Sequence, residues 1–583
     1  MVDTKIKTSL YDFENMDRLP HMCTRSKMLV SELKRNLPKH FELDSLQGYL
    51  KKDYILDWLT MNSNCYIKDP DNAFIEKIHA NKTTYISTFT EYFKAKYNGI
   101  YINDTNYIDR YDSTLKYIKG GNKVILNACM ISPNSPIFTT IHLLIHSSML
   151  RKIFNPKYLP KYIPKNVYIC VDFDYSTLYM SNSRQLLSKN NSKMHCIMLS
   201  LKQSIVNHVL YQSCSCCILI PNKIYYKTNI LYYSNAYCVV DMYTYKNIYV
   251  KWLKWIIRLY QNMNIWSPTR NYKYILPNMS NHSDYPWRTF KNQYSNYIED
   301  ITKLWSMGVT HRDICYTKNI VSWKKCNPYM LPIPHSYKKV INKFIVINRQ
   351  QNINMFSNII NKGSIKRHPV EFFVDFETIN SLGTQFENKK RNQYIFLIGC
   401  YTIISSSNIS DTIYYKYFLV NTIQEKEEAR IISEWFNYMS TICKKYSVTI
   451  PVIYHWGHAE KSFLKHSLQY HVDIKLPILH FIDLCNLFRQ EGLVVRNTWA
   501  FGLKEIAKAM YSYGYIETKW TDDMNGMDAM VSVWEIINNI HDGKIMSLIE
   551  DNRIHSIIQY NKIDCVVLWE ILTYLRKMNY IGI

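Results

Sequence analysis

In the stretch VEFFVDFETI, residues 370–379, Asp375 and Glu377 interrupt a largely apolar run. A run this rich in β-branched and aromatic residues predicts a buried central strand. Residues i and i+2 of a strand face the same side, so Asp375 and Glu377 would lie next to each other. Burial of two like charges is offset only by cations, and a carboxylate pair suits a divalent cation. An edge strand with a solvated face would show the same pattern without a metal.

Strand and helix patterns continue after this stretch. The segments with the composition of further strands are QYIFLIGCYTI (393–403), TIYYKYFLV (412–420) and VTIPVIYHW (448–456). Helical periodicity is present in QEKEEARIISEWFNYMSTI (424–442) and in segments that begin near Ala459, Phe501, Asp528 and Ile554. These elements predict an α/β domain with a mixed central sheet over residues 369–583.

Three further positions in this segment carry groups suited to a metal site. Glu460, in YHWGHAEKSFL, lies just inside a predicted helix, where a carboxylate is often only a partner of the helix dipole. Tyr560 and Asp564 are four residues apart in a helical segment and share one face, as they would on an ordinary amphipathic helix. Asp483, in HFIDLCNLF, can cap or brace a turn as readily as it can coordinate.

In this order the motifs resemble the YprB-like branch of the ribonuclease-H superfamily. Its relatives include the DEDD-type 3′→5′ exonucleases that have a tyrosine in the third motif. The first motif falls on Asp375 and Glu377 in VDFETI, and the acid of the second motif falls on Glu460. The tyrosine and acid of the third motif fall on Tyr560 and Asp564 in YNKIDC. The resemblance implies a ribonuclease-H-like fold and a nuclease activity.

Two positions qualify this resemblance. Glu460 is a glutamate where most DEDD exonucleases carry aspartate, although the YprB-like branch tolerates glutamate. Asp483 occupies the place of an often-acidic residue after the second motif and is assigned a supporting role.

The mechanism implied by the resemblance is hydrolysis of a phosphodiester with two Mg²⁺ or Mn²⁺ ions. Asp375 would bridge both ions, and Glu377 and Asp564 would each complete one coordination shell. Glu460 would bind directly or through water, and Tyr560 would orient the attacking water.

The charge of the chain is concentrated in its first part. The 583 residues have a formal net charge of +24, but residues 367–583 contain 22 Lys and Arg against 24 Asp and Glu, which leaves +26 for residues 1–366. A basic body of this size predicts a nucleic-acid partner, with a lysine-rich solvated surface as the plainer interpretation. No apolar run is long enough to span a bilayer and no secretory signal is present, which predicts an intracellular protein without a membrane segment.

The first part of the chain predicts a second α/β domain and a helical connector. Helical spacing between residues 47 and 100 is followed by the strand patterns KVILNACMI, FTTIHLLIHSS and VYICVDFDYSTLYM and the helix LSLKQSIVNHVLY. The segments IEDITKLWSM and THRDICYTKNI resemble a helix-hairpin-helix pair. The predicted boundaries are an N-terminal extension (1–46), the α/β domain (47–245), the helical connector (246–347), a polar linker (348–368) and the C-terminal domain (369–583).

The order of these pieces resembles the RecB-like PD-(D/E)xK nuclease domain, of restriction-endonuclease-like fold, that precedes a YprB-like domain in some bacterial proteins and in large DNA viruses. The metal-binding Asp of that family falls on His142, and its acid-x-Lys falls on Asp172 and Asp174. Replacement of the lysine by an acid implies a degenerate site, because a carboxylate reverses the charge. The alternatives are that a neighbouring lysine has taken over or that the register is shifted. The following helix keeps Gln203, a residue type found in relatives.

Together these patterns predict a two-domain nuclease of viral type, in which a degenerate RecB-like domain binds nucleic acid and a ribonuclease-H-like domain cuts it. The activity implied is that of a 3′→5′ exonuclease on DNA or RNA. The alternative is a non-catalytic nucleic-acid-binding or scaffold protein in which both sites have decayed.

Overall fold

A computed structural model describes residues 39–180, 190–225, 230–232, 236–269, 272–350, 353–356, 362–380, 393–405, 411–475, 477–520 and 524–581. These residues form two compact units. The first comprises Ile78–Asp300 and the described part of Met1–Asp71, and the second comprises Asn72–Lys77 and the described part of Ile301–Ile583. None of the helices in these ranges is long and apolar enough to cross a membrane.

The first unit is built around an eight-stranded mixed sheet. Its elements are β1 (Phe41–Glu42), α1 (Tyr54–Met61), α2 (Ala73–Tyr97), β2 (Ile100–Tyr101), α3 (Tyr107–Lys119), β3 (Val124–Ile131), β4 (Ile137–His146), α4 (Leu150–Ile153), β5 (Tyr168–Tyr179), α5 (Asn190–Val209), β6 (Cys216–Tyr225), β7 (Ile230–Tyr232), β8 (Cys238–Asp241), α6 (Lys246–Asn262) and α7 (Arg288–Tyr297).

The centre of this sheet is a three-stranded meander followed by a crossover. β3, β4 and β5 are antiparallel neighbours, and β6 lies parallel to β5 after the helix α5. Successive residues of β4 enter opposite apolar layers: Leu144 lies in the layer that includes α5 and α6, and Ile145 in the layer that includes α2. The three strands and the helix predicted in this part of the chain are confirmed, and the helix begins nine residues earlier than its pattern indicated.

Two boundaries of the first unit differ from the sequence prediction. Leu43, in the predicted extension 1–46, is fully buried, and β1 pairs in parallel with β4. Helix α6, the beginning of the predicted connector 246–347, buries Trp252 and Ile256 in the same core as α5. The apolar face of α6 therefore covers the sheet of the first unit, and the connector is divided between the two units. Residues 1–38 lie outside the described residues.

The second unit is built around a five-stranded mixed sheet. Its elements are α8 (Val309–Thr317), α9 (His335–Arg349), β9 (Met355–Phe356), β10 (Val370–Asn380), β11 (Gln393–Ile404), β12 (Thr412–Leu419), α10 (Glu425–Lys445), β13 (Val452–His455), α11 (Ala459–Leu468), β14 (His480–Asp483), α12 (Leu484–Glu491), β15 (Val494–Val495), α13 (Leu503–Ser512), α14 (Gly526–His541) and α15 (Asn552–Ile581).

β10 is the central strand, in the order β12-β11-β10-β13-β14. It is antiparallel to β11 and parallel to β13, so the sheet is mixed as predicted. Phe372 enters the apolar layer that includes α10 and α14, Phe373 enters the layer that includes α12 and α13, and α15 contributes to both layers. The strands and helices predicted after residue 369 are confirmed. β14 and α12 are not apparent in the sequence, because elements of four and eight residues show too little periodicity.

Residues 301–349, named here the lysine-rich lobe, have a small apolar core of their own within the second unit, which includes Leu304, Cys315 and Ile341. The predicted helix-hairpin-helix pair is only half present: α8 forms, but its predicted partner contains a single 3₁₀ turn at Ile301–Lys303.

The predicted linker 348–368 is also partly ordered, because β9 pairs with β15. Its residues 351–352 and 357–361 lie outside the described residues.

Candidate active site

Three of the predicted acids meet in the second unit. Asp375 and Glu377 lie on β10, and the register with β11 is shifted directly after Glu377. Asp564 lies on α15, four residues after Tyr560. One carboxylate oxygen from each of Asp375, Glu377 and Asp564 lies within 4.8 Å of the other two. This is the only group of three or more His, Cys, Asp or Glu side chains with such geometry in the described part of the chain.

The three carboxylates lie close together, with Glu377 and Asp564 buried and Asp375 partly buried, and positive charge from the protein offsets them only in part. Burial, followed by the charge of Asp564, raises the pKa of Asp375 well above its usual range. Burial also raises the pKa of Glu377 to about 7, and burial together with the charge of Glu377 raises the pKa of Asp564, against which Lys504 acts only in part. Oδ1 of Asp564 is buried without a hydrogen-bond partner. An all-oxygen donor set with an orphaned carboxylate oxygen fits Mg²⁺ or Mn²⁺.

Glu460 lies beside this cluster but outside the group of three. It is buried in the first turn of α11, and its Oε2 atom is 3.2 Å from Nδ1 of the buried His455. The charge of Glu460 contributes to the raised pKa of Asp375. His455 was not identified from the sequence, although its position at the end of β13 brings it next to the start of α11.

Asp483 braces the segment that presents Glu460. Its Oδ1 atom accepts hydrogen bonds from the backbone nitrogens of Gly457 at 2.8 Å and Asn486 at 3.1 Å, and it caps α12. Gly457 lies in the turn between β13 and α11 and has a positive φ of 83°. Asp483 thus holds the turn that leads to Glu460.

The tyrosine of the third motif is tied to its acid. The side chain of Tyr560 forms a hydrogen bond with Asp564, and burial followed by the Asp564 charge raises the pKa of the phenol above its usual value. The Trp520 ring meets the Tyr560 ring edge-on at 6.2 Å between centroids. Tyr560 therefore stays protonated, and its hydroxyl is held at the acidic cluster.

Asn561 was not identified from the sequence, yet it fixes the central acid. It is fully buried, and its Nδ2 atom donates to Oδ2 of Asp375 at 2.8 Å and to the Asp375 carbonyl at 3.1 Å. Its Oδ1 atom accepts from the Tyr415 hydroxyl at 3.1 Å. Gly399, opposite Asp375 in the sheet, leaves the space for this side chain. In the sequence, Asn561 is recognisable only as a polar residue next to Tyr560 in a helical segment.

Gly399→Ala is expected to destabilise the second unit by about 1–3 kcal/mol and to weaken metal binding. A Cβ atom at Gly399 would lie 1.6 Å from Oδ1 of Asn561, so the amide must leave Asp375. Denaturant unfolding and Mn²⁺ titration measure the two effects. Gly526→Ala is the matched control, because nothing lies within 4 Å of a Cβ atom there. Unfolding and Mn²⁺ affinity like those of the wild type in Gly399→Ala would contradict this role of Asn561.

The predicted N-terminal site has a different electrostatic character. Oδ1 of Asp172 is 3.0 Å from Nδ1 of His142, and its Oδ2 is 2.8 Å from Nζ of Lys202, which also lies 2.9 Å from Oδ2 of Asp44. Although burial acts to raise the pKa of Asp172, the charges of Lys202 and His142 outweigh it and hold the pKa far below its usual range. Protein cations thus neutralise this carboxylate, whereas the pKa values of Asp375, Glu377 and Asp564 are raised.

The remaining residues of this predicted site are held within the fold. Oδ2 of Asp174 accepts from the Ser176 hydroxyl at 2.5 Å and lies 3.3 Å from Nδ1 of His195. Gln203 bridges α5 and β5, since its Oε1 atom accepts from the Cys170 nitrogen at 2.7 Å and its Nε2 atom donates to the Tyr168 carbonyl. Lys202, which pairs with Asp172 from α5, was not identified from the sequence.

Residues 372–576 match the sequence model of the RNase_H superfamily. The match begins on the strand that carries Asp375 and Glu377 and ends beyond Asp564, so it contains the whole acidic cluster. The second unit therefore contains a ribonuclease-H-like domain, as its sequence pattern predicted. No curated protein matches the chain.

Proposed function

We propose that this protein is a divalent-metal-dependent nuclease that hydrolyses phosphodiester bonds of DNA or RNA, acting as a 3′→5′ exonuclease. The observation that carries the proposal is the largely buried cluster of Asp375, Glu377 and Asp564 inside a ribonuclease-H-like domain. Uncompensated acids are costly to bury, and a catalytic cation is the simplest reason to retain three of them.

The chain supplies the groups that such a reaction needs. Asp375, Glu377 and Asp564 would hold Mg²⁺ or Mn²⁺, with Glu460 adding a direct or water-mediated ligand. When bound, two such ions act as Lewis acids, make a coordinated water more acidic and stabilise the attacking and leaving oxygens. Tyr560 remains a neutral hydroxyl beside Asp564, suited to orient the attacking water. Asn561 holds the Asp375 carboxylate in one orientation.

For the first unit we propose nucleic-acid binding by a degenerate RecB-like nuclease domain, in an intracellular protein of viral type. Two observations support a non-catalytic role: Lys202 and His142 occupy both oxygens of Asp172, and residues 1–300 contain 38 Lys and Arg against 22 Asp and Glu. Because Lys202 already neutralises Asp172, this carboxylate has no uncompensated charge left to attract a metal ion.

The test is incubation of the purified chain with end-labelled single-stranded and duplex DNA and RNA, with Mg²⁺, with Mn²⁺ and with EDTA. We expect shortening from the 3′ end that requires either metal and stops in EDTA. Internal cuts would retain the nuclease but reject the exonuclease. Tight, salt-sensitive binding without cleavage in any metal would favour the non-catalytic scaffold.

Metal-free protein is expected to become less stable as pH rises from 5 to 8. The pKa of Glu377 is about 7 in the fold against 4.5 ordinarily, so the folded state binds the extra proton in this window. The stabilisation of the fold by this proton is complete below pH 4.5 and is lost as the pH rises through about 7. Glu377→Gln should flatten the dependence and be more stable than wild type at pH 8.

The same protons compete with the metal. Mn²⁺ is therefore expected to raise the melting temperature more at pH 8 than at pH 5.5 in the wild type, and much less in Glu377→Gln. Calorimetry in EDTA and in Mn²⁺ measures both effects. An identical shift at the two pH values would show that metal binding does not require this carboxylate.

A further inference from the structure

We propose that the lysine-rich lobe, residues 301–349, binds a single polynucleotide strand in a cavity beside Lys318 and Tyr329. This inference rests on the proposed function and assigns a substrate-holding surface to the catalytic unit itself. It differs from binding by the first unit, because the lobe belongs to the second unit and has its own apolar core.

The lobe carries the positive charge of the second unit. Residues 301–349 contain nine Lys or Arg residues and one acid, Asp313, whereas residues 367–583 are close to neutral. The fold uses some of these cations: Lys343 donates to the carbonyls of Glu491 and Gly492 at the end of α12, and Arg349 donates to the Cys326 carbonyl. Lys318 is exposed. A concentration of exposed lysines on an otherwise neutral unit indicates a polyanionic partner.

The cavity is an open depression in which cations lie beside an exposed aromatic ring. It has a volume of about 570 Å³ and is lined by Lys318, Tyr329–Pro334 and Lys338. Tyr329 is 55% exposed and Met330 is 54% exposed, although both line a concave surface. Nζ of Lys338 donates to the Tyr329 carbonyl at 2.8 Å, which fixes the wall beside the cation. An exposed aromatic ring next to ammonium groups suits a base and its flanking phosphates.

The lobe is packed against the layer that presents Glu460. The Trp305 ring lies 4.8 Å from the Tyr337 ring and 5.2 Å from the Phe501 ring, between centroids. The Phe501 carbonyl accepts from Nε1 of Trp456 at 2.8 Å, and Trp456 belongs to the turn between β13 and α11. A strand held on the lobe is therefore held by a surface that packs against the turn leading to Glu460. An acidic protein segment would use the same lysines but gains less from the exposed Tyr329 ring.

The test is binding of a fluorescent single-stranded 20-mer, as DNA and as RNA, to the full chain in EDTA. Tyr329→Ala is expected to weaken binding by roughly fivefold or more, the usual effect of losing one stacked base. Lys318→Glu is expected to weaken it several-fold and to reduce the slope of log K against log salt by about 0.7, one phosphate contact. Lys544→Glu and Tyr446→Ala, exposed positions elsewhere in the second unit, are the matched controls and should bind like the wild type.

Cross-linking separates this surface from binding by the first unit. A 20-mer containing 5-iodouracil should cross-link to Tyr329, and the linked peptide is identified by mass spectrometry. Wild-type affinity in both lobe variants, with all cross-links outside residues 301–349, would overturn the inference. Displacement of the strand by polyglutamate of equal charge would also overturn it, in favour of an acidic protein partner. Binding is measured in EDTA, so it does not depend on whether the proposed nuclease activity exists. Conversely, a failed binding test leaves the nuclease proposal intact.

Discussion

Asp375→Asn is expected to bind nucleic acid as the wild type does and to cleave it at least about 10³-fold more slowly, a loss of roughly 4 kcal/mol of transition-state stabilisation. The charges of Asp564, Glu377 and Glu460 all raise the pKa of Asp375. Asn561 holds the Asp375 carboxylate in place. The amide is nearly the same size, and it relieves repulsion with Glu377 and Asp564, so the fold should survive. Single-turnover cleavage in Mg²⁺ and in Mn²⁺ measures the loss.

The controls for this prediction come from both units. Asp564→Asn should cause a comparable loss, and the double variant Asp375→Asn, Asp564→Asn should be little worse, because residues that act as one unit are not additive. Asp172→Asn, which changes a buried acid of the first unit, should leave cleavage chemistry intact. Cleavage that survives Asp375→Asn but falls in Asp172→Asn would move the activity to the first unit.

Lys202→Met is expected to destabilise the first unit by about 3–5 kcal/mol, the usual cost of leaving a buried charge without its partner. The Lys202 side chain is only 1% exposed and pairs with both Asp44 and Asp172. Its removal would leave Asp172 buried with His142 as its remaining partner. Calorimetry that resolves the transitions of the two units measures the effect.

The double variant Lys202→Met, Asp172→Leu tests the cause. It should recover most of the lost stability, since replacing a buried ion pair by apolar groups of similar size is often neutral or favourable. Cleavage of short oligonucleotides should persist in both variants. If Lys202→Met abolishes cleavage while the protein remains folded, Lys202 has taken over the catalytic lysine and the first unit is an active nuclease.

The acids on one strand were the most predictable part of the site. Apolar residues on both faces of VEFFVDFETI favoured a central strand, and the spacing of Asp375 and Glu377 placed both on one side. Tyr560 and Asp564 were predictable from helical spacing once a motif order linked them to that strand. Both predictions depend on the local spacing of apolar residues, which is clear in long strands and helices.

The groups that support the acids were not predictable, because they act across the fold. Asn561 reaches Asp375 over 186 positions of sequence, and Lys202 reaches Asp44 over 158. The place of Gly399 opposite Asp375 depends on strand register, which a single sequence does not specify. The division of residues 246–347 also depends on tertiary packing: α6 and α9 are both amphipathic helices, and nothing local states that they cover different sheets.

The distance in sequence between β10 and α15 affects the order in which the parts of the acidic cluster are synthesised on the ribosome. Asp375 is translated 186 positions before Asn561, and both acids of β10 are further still ahead of Asp564. At the usual speed of a ribosome, roughly 10–40 s separate these events. During that interval the nascent chain has no complete acidic cluster, while much of its basic sequence has already emerged. On the proposed function, the nascent chain can bind nucleic acid before it can cleave it.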